Sequence, residues 1–223
     1  MIQWLIAHPG PGLEQKRFLC PQEVEEGRRY HHPERYRQWL LGRAAAKTLL
    51  CRHTQESGTK DLPPASIHIT RMNDGWPRPL RLDGSPLPVS LSISHKLDLA
   101  LCALCPESEG TLGADIESIE PRSEHLLEDF YTDAERDLLS RLSGTERVQA
   151  ITVMWCIKEA VLKARRTGFK ANTKSVEILS LEPETDRLWQ HAQVTLDRNS
   201  HPQVYWRLFG NDAMALALVQ LSE

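Results

Sequence analysis

What the chain lacks narrows the field first. Its 223 residues contain no apolar run near the ~20 residues that a transmembrane helix requires, which argues against a membrane-spanning reading. The opening MIQWLIAHPGPG is apolar but has neither a basic start nor a small-residue cleavage site, so it reads as a first β-strand. No Walker loop, G-x-G-x-x-G or G-x-S-x-G elbow is present, which removes three familiar phosphate and nucleophile signatures. Charge is nearly balanced: a formal net charge of -3 predicts no broad affinity for nucleic acid or membrane. Cysteines are few and odd in number, Cys20, Cys51, Cys102, Cys105 and Cys156, which suits a reducing compartment and makes the cytoplasm the expected location. The C-x-x-C at Cys102–Cys105 has no second pair, and on a strand its members face opposite sides. It therefore reads as two buried strand cysteines, not half a zinc site.

The chain is long enough to bury a core as one domain or as two small lobes. Residues 2–7 read as a strand, and HHPERYRQWLLGRAAAKTLLCRH reads as a helix with Pro33 in its first turn. Gly42 inside that helix costs stability, so close packing or substrate approach is expected there. SIHITRM reads as a strand, and NDGWPRPLRLDGSPLP as turn and loop. Strands follow at VSLSIS, LALCALC and TLGADIE, then two short helices, the second opened by a capping box of Thr132 and Glu135. A long helix is expected over 145–166, and strands at SVEILSL, AQVTL, QVYWRLF and AMALALV close the chain. No low-complexity linker or sequence repeat is visible, yet the order strand, helix, strands occurs once before about residue 108 and again after it. The fold class is α/β (α+β). The expected architecture is two similar lobes, 1–108 and 109–223, forming a pseudo-dimer with the active site in the cleft between them.

Three places concentrate chemistry. In LGADIE, Asp115 and Glu117 share one strand face and repel each other unless something neutralises them. They are either solvated acids at a strand end or hard oxygen ligands of the kind Mg²⁺ takes together with phosphates. In MWCIKEAVLKA, Trp155, Glu159 and Lys163 stack at i, i+4 and i+8, and Lys158 sits about 100° around the helix. The stripe is either a solvated ion pair or a site for polyphosphate plus metal. In SISHK, Ser94 and His95 make a poor nucleophile–base pair because neighbouring strand residues diverge. Both groups can donate to phosphate oxygens.

Taken in order, SISH, GADIE and WCIKEAVLKA resemble the signature set of the 4′-phosphopantetheinyl transferases, in the longer monomeric type that modifies carrier proteins. GRRYHHPERYRQWLLGRAAAKTLL is similar to the basic N-terminal helix of that family. The resemblance implies transfer of 4′-phosphopantetheine from coenzyme A to a serine of an apo acyl or peptidyl carrier protein, with 3′,5′-ADP leaving. It implies that Asp115, Glu117 and Glu159 bind Mg²⁺ with the pyrophosphate, and that Lys163 steadies its charge. Lys158, Ser94 and His95 would contact phosphates of coenzyme A, and Arg43 matches a common family residue. Glu159, directly or through a metal-bound water, is the candidate base. The pattern departs from the family at Gly75-Trp76-Pro77, where a cation is usual; Arg78 or stacking by Trp76 is the expected substitute. It departs also at Glu26, whose basic role would pass to Arg28 and Arg29. The partner would be a small acidic helical carrier domain, docking near residues 118–145. Two rival readings use the same residues: another Mg²⁺-dependent phosphoryl enzyme, such as a phosphohydrolase, and a non-catalytic carrier- or nucleotide-binding relative.

Overall fold

Contacts within the chain divide it into two compact units, Met1–Gly110 and Thr111–Glu223. The structure is a computed structural model and describes residues 1–10, 16–58, 62–167, 172–182, 188–196 and 202–222.

The N-terminal unit runs β1 (Gln3–Ala7), α1 (Pro21–Gly27), α2 (Pro33–Glu56), β2 (Ile67–Arg71), β3 (Pro77–Arg81), β4 (Val89–Lys96) and β5 (Leu99–Pro106). Its sheet is antiparallel in the order β1-β5-β4, and β2-β3 form a separate hairpin. Alternation puts Ala100, Cys102 and Leu104 on one face of β5, where they meet Leu41, Ala45 and Leu49 of α2. Cys105 is buried on the other face, and all five cysteines are free. Pro33 opens α2 as expected, and Gly42 is explained by packing: a Cβ there would lie 3.1 Å from Ile93 Cγ2 and 3.5 Å from the His95 ring.

Two elements depart from the sequence expectation. Helix α1 was not anticipated, although Pro21 in its first turn and a capping box from Cys20 to Glu23 mark its start. Strand β3 lies in the stretch read as loop. Its prolines are tolerated because β3 pairs only with β2 among the strands of its sheet, and the Pro79 carbonyl turns away from that partner to accept from Leu87 N–H at 3.0 Å. The missing proline N–H therefore costs that ladder nothing.

The C-terminal unit runs β6 (Thr111–Ser118), α3 (Glu124–Phe130), α4 (Asp133–Ser140), α5 (Gly144–Ala164), β7 (Val176–Glu182), β8 (Gln190–Leu196), β9 (Gln203–Phe209) and β10 (Met214–Leu221). One antiparallel sheet, in the order β6-β10-β9-β8-β7, carries α5 across it. Ala215, Ala217 and Val219 of β10 belong to the core cluster under that helix, with Ile157, Ala160 and Val161 above them. Among the described residues no helix is long and apolar enough to cross a membrane.

The two units share a device that the sequence does not advertise. In the first, Glu23 is fully buried and pairs with fully buried Lys47 of α2. One Glu23 oxygen also accepts from Cys20 N–H at 3.2 Å, the other from Ile69 N–H of β2 at 3.1 Å, and Lys47 donates to Phe18 O at 2.8 Å. In the second, Glu135 and Lys158 of α5 are both fully buried and 2.8 Å apart. Glu135 accepts from Thr132 N–H at 2.8 Å and from Ile178 N–H of β7 at 2.9 Å. Lys158 donates to Val176 O at 2.6 Å and Thr173 O at 3.1 Å. Each clamp thus ties the start of a short helix, one strand and the long helix to a single buried ion pair.

Such a pair is worth little against a well-packed apolar replacement, but losing one partner strands a buried charge. Lys47→Ala and Lys158→Ala are each expected to lower the unfolding free energy by about 3–5 kcal/mol. Arg28→Ala, which breaks an exposed pair with Glu25, should cost only ~0–1 kcal/mol. Urea midpoints of the three variants make the comparison; equal midpoints would contradict the clamps.

Candidate active site

Helix α5 is buried almost all round. Between Ala150 and Ala164 the residues that are only half-buried are Trp155, Glu159 and Lys163, the stripe that helical spacing places on one face. That stripe lies against β6. Asp115 and Glu117 pair in register with Ala217 and Ala215 of β10, so they stand on the sheet face that the helix covers. The approach is unusually close. A Cβ built on Gly113, on the same face, would lie 1.8 Å from Ala160 O and 2.7 Å from Ala164 N. Only glycine fits, because the obstacle is backbone.

The close approach brings the charges together. Lys163 Nζ donates to Asp115 Oδ1 at 2.6 Å and to Ala114 O at 3.1 Å, and its side chain stays 31% exposed while Asp115 is buried. Glu159 feels both strand acids. Burial first, then the Asp115 charge and more weakly Glu117, push its carboxyl pKa above the ordinary range, against the pull of Lys163. Beside them the buried Cys156 thiol donates to Ala215 O at 3.5 Å. Burial and the neighbouring acids raise its pKa well above the usual thiol value, which leaves it unreactive.

Arg122, in the segment after β6, belongs to the same neighbourhood although no motif marks it. Its Nη2 lies 3.4 Å from Glu117 Oε2, and its guanidinium covers the Trp155 ring at 5.4 Å. Phe130 meets the same ring edge-on, with centroids 5.3 Å apart.

Lys158 does not join this group. It was expected to face phosphate, but its ammonium is fully buried on Glu135 and two carbonyls. The 100° offset from Glu159 turns it into the core.

Arg43, Ser94 and His95 lie in the N-terminal unit. Because β4 continues through Lys96, Ser94 and His95 point to opposite faces, Ser94 buried and His95 exposed. Arg43 Nε is 3.4 Å from Glu23 Oε1 and its guanidinium covers Trp39 at 5.2 Å. Burial lowers its pKa, with Glu23 opposing. At the departure in the 75–77 loop, Arg78 lies over the Trp76 ring at 5.6 Å, so the substitute cation and the unexpected aromatic stack on each other. Of the other departure, Glu26 Oε1 is 3.0 Å from His68 Nε2.

Residues 111–219 match the family model of the 4′-phosphopantetheinyl transferase superfamily. The C-terminal unit is similar to that superfamily. The match contains the GADIE and WCIKEAVLKA motifs; Ser94 and His95 fall outside it. A Synechocystis sp. protein provisionally named a 4′-phosphopantetheinyl transferase is 25% identical over 92% of this chain and 76% of its own length. Holo-[acyl-carrier-protein] synthase from Thermotoga maritima aligns with 50% of this chain and 62% of its own, at 22% identity and a TM-score of 0.39. The Bacillus anthracis enzyme, solved in complex with coenzyme A (3′,5′-ADP), aligns with 50% of this chain and 95% of its own, at 22% identity and a TM-score of 0.40. The superfamily is one of enzymes, and within the matched residues the α5–β6 contact brings Asp115, Glu117, Glu159 and Lys163 together.

Two measurements test that assembly. Gly113→Ala must displace α5 from β6; overpacking of this kind costs about 1–3 kcal/mol, and activity should fall with the lost Lys163–Asp115 geometry. Gly10→Ala, with nothing within 4 Å, is the neutral control in the same melting experiment. Glu159 gives the second. A carboxyl whose pKa is raised in the folded state destabilises the fold once pH climbs past its unfolded value, near 4.5, and fully so above its folded value. In EDTA, Glu159→Gln should therefore melt above wild type at neutral pH, and the gap should close as pH falls below that value.

Proposed function

We propose that the chain transfers the 4′-phosphopantetheine group of coenzyme A to a serine hydroxyl of an apo acyl or peptidyl carrier protein, releasing 3′,5′-ADP. The observation that carries this reading is the single open stripe of α5, Glu159 and Lys163, laid against Asp115 and Glu117 in the unit that matches the superfamily.

The reaction requires a divalent cation in this reading, and Mg²⁺ fits the donors. Three carboxylates offer the hard oxygens that Mg²⁺ binds alongside water and substrate phosphates. As the side chains stand, no three acid, histidine or cysteine groups among the described residues are placed to hold an ion. Asp115 is instead turned to Lys163 and Glu117 to Arg122. Asp115, Glu117 and Glu159 would hold the cation, which would neutralise the pyrophosphate and leave its phosphorus open to attack.

The protein's own groups do the rest. Lys163, anchored by Ala114 O yet partly exposed, offsets charge on the departing phosphate. Glu159 accepts the proton as the serine oxygen bonds to phosphorus and the bond to 3′,5′-ADP breaks. Arg43, Ser94 and His95 would serve the nucleotide and phosphate end of coenzyme A, and Arg28 and Arg29 are exposed. The free cysteines fit a cytoplasmic enzyme, and we place it there as a monomer.

The 118–145 segment makes a poorer carrier dock than its position suggests. Glu124, Glu128, Asp129, Asp133 and Asp137 are exposed on it, and like charges repel an acidic carrier.

Incubation with coenzyme A, Mg²⁺ and a panel of apo carriers should add one phosphopantetheine to the carrier serine, read by mass spectrometry. Asp115→Ala should stay folded and lose that transfer. Hydrolysis of coenzyme A with no carrier adduct would favour the phosphohydrolase reading; binding without turnover would favour a non-catalytic relative.

A further inference from the structure

Arg122 has no part in the mechanism above. Its side chain is 13% exposed, and its Nε is buried without a hydrogen-bond partner. Of five guanidinium donors, one faces Glu117, at a long 3.4 Å. We infer that Arg122 is an exchangeable counter-ion: it neutralises Glu117 while no divalent cation is bound, then gives its donors to a phosphate oxygen of coenzyme A once Glu117 takes the cation. The inference rests on the reading under Proposed function.

Three features support the exchange. Three carboxylates share this face, and two permanent cations, Lys163 and Arg122, stand against them. A divalent ion supplies the same charge from the middle of the group, so both pairs become dispensable on its arrival. The two pairs differ in strength. Lys163 holds Asp115 at 2.6 Å with a second anchor on Ala114 O, while the Arg122 contact is long and readily given up. The guanidinium also has a reason to stay when its carboxylate leaves. It lies on Trp155, and Trp155 is braced edge-on by Phe130, so the fork remains at the site with its donors unspent. A planar fork suits phosphate oxygens better than a lysine would.

The exchange predicts effects of opposite sign, which a merely structural residue would not produce. In full-length protein stripped of metal, calorimetric titration with Mn²⁺ alone should show Arg122→Gln binding about 3-fold tighter than wild type, since a competitor for Glu117 is gone. With Mn²⁺ saturating, coenzyme A should bind Arg122→Gln about 10-fold more weakly, the loss of one charged hydrogen bond. Arg122→Lys keeps the charge without the fork, so it should hold Mn²⁺ as wild type does and recover only part of the coenzyme A affinity. It carries the test if the Gln variant melts below the assay temperature. Unchanged coenzyme A affinity in either variant, or unchanged or weaker Mn²⁺ binding in Arg122→Gln, would overturn the inference alone. Failure of wild type to bind Mn²⁺ and coenzyme A would overturn the functional reading and this inference together.

Discussion

The carbonyl of Ala160 occupies the space that a side chain at position 113 would need. This backbone-to-backbone contact sets the height of α5 above β6, and the chemistry depends on that height. At this separation Lys163 reaches both Ala114 O and Asp115, and Glu159 comes within electrostatic range of two strand acids. Side chains can change rotamer to absorb a misfit, but two backbones cannot. The glycine of GADIE is therefore as necessary to the acid cluster as the acids themselves.

A second constraint fixes the direction in which α5 points. The Glu135–Lys158 clamp ties the helix to α4 and β7, and Lys158 immediately precedes Glu159. One residue is locked into the core so that the next has little freedom outside it. The N-terminal unit has the same clamp in Glu23–Lys47, tied to the corresponding strand of its own hairpin. Counted from the clamp lysine, Glu159 and Lys163 fall where Thr48 and Arg52 lie, and β1 carries no acidic residue. The buried clamp occurs in both units; among the described residues the strand acids beside the long helix are those of β6.

Regular elements were legible in the sequence wherever the apolar period was undisturbed. The long helices, the capping box at Thr132 and the acids of β6 all followed from spacing. Strand β3 was hidden because prolines normally forbid a strand, and only the one-sided pairing of β3 explains why they do not. The repeated clamp was hidden because it consists of buried pairs and not of similar strings of residues. Lys158 was misread for a related reason: spacing gives an angle around a helix, whereas burial depends on what packs there. Arg122 left no signal at all, since it lies outside the motifs and joins the site through contacts with Glu117 and with Trp155, the latter 33 residues further along the chain.

The W-x-x-K-E-x-x-x-K string therefore combines two kinds of demand. In the proposed function Glu159 and Lys163 serve the reaction, whereas Lys158 is buried on Glu135 and serves the fold. A descendant that abandoned catalysis would be free to shed the former but not the latter, so a lone lysine on a long helix, facing a buried glutamate, would be the fossil that such a chain keeps. Lys47 of α2, facing buried Glu23, has that arrangement.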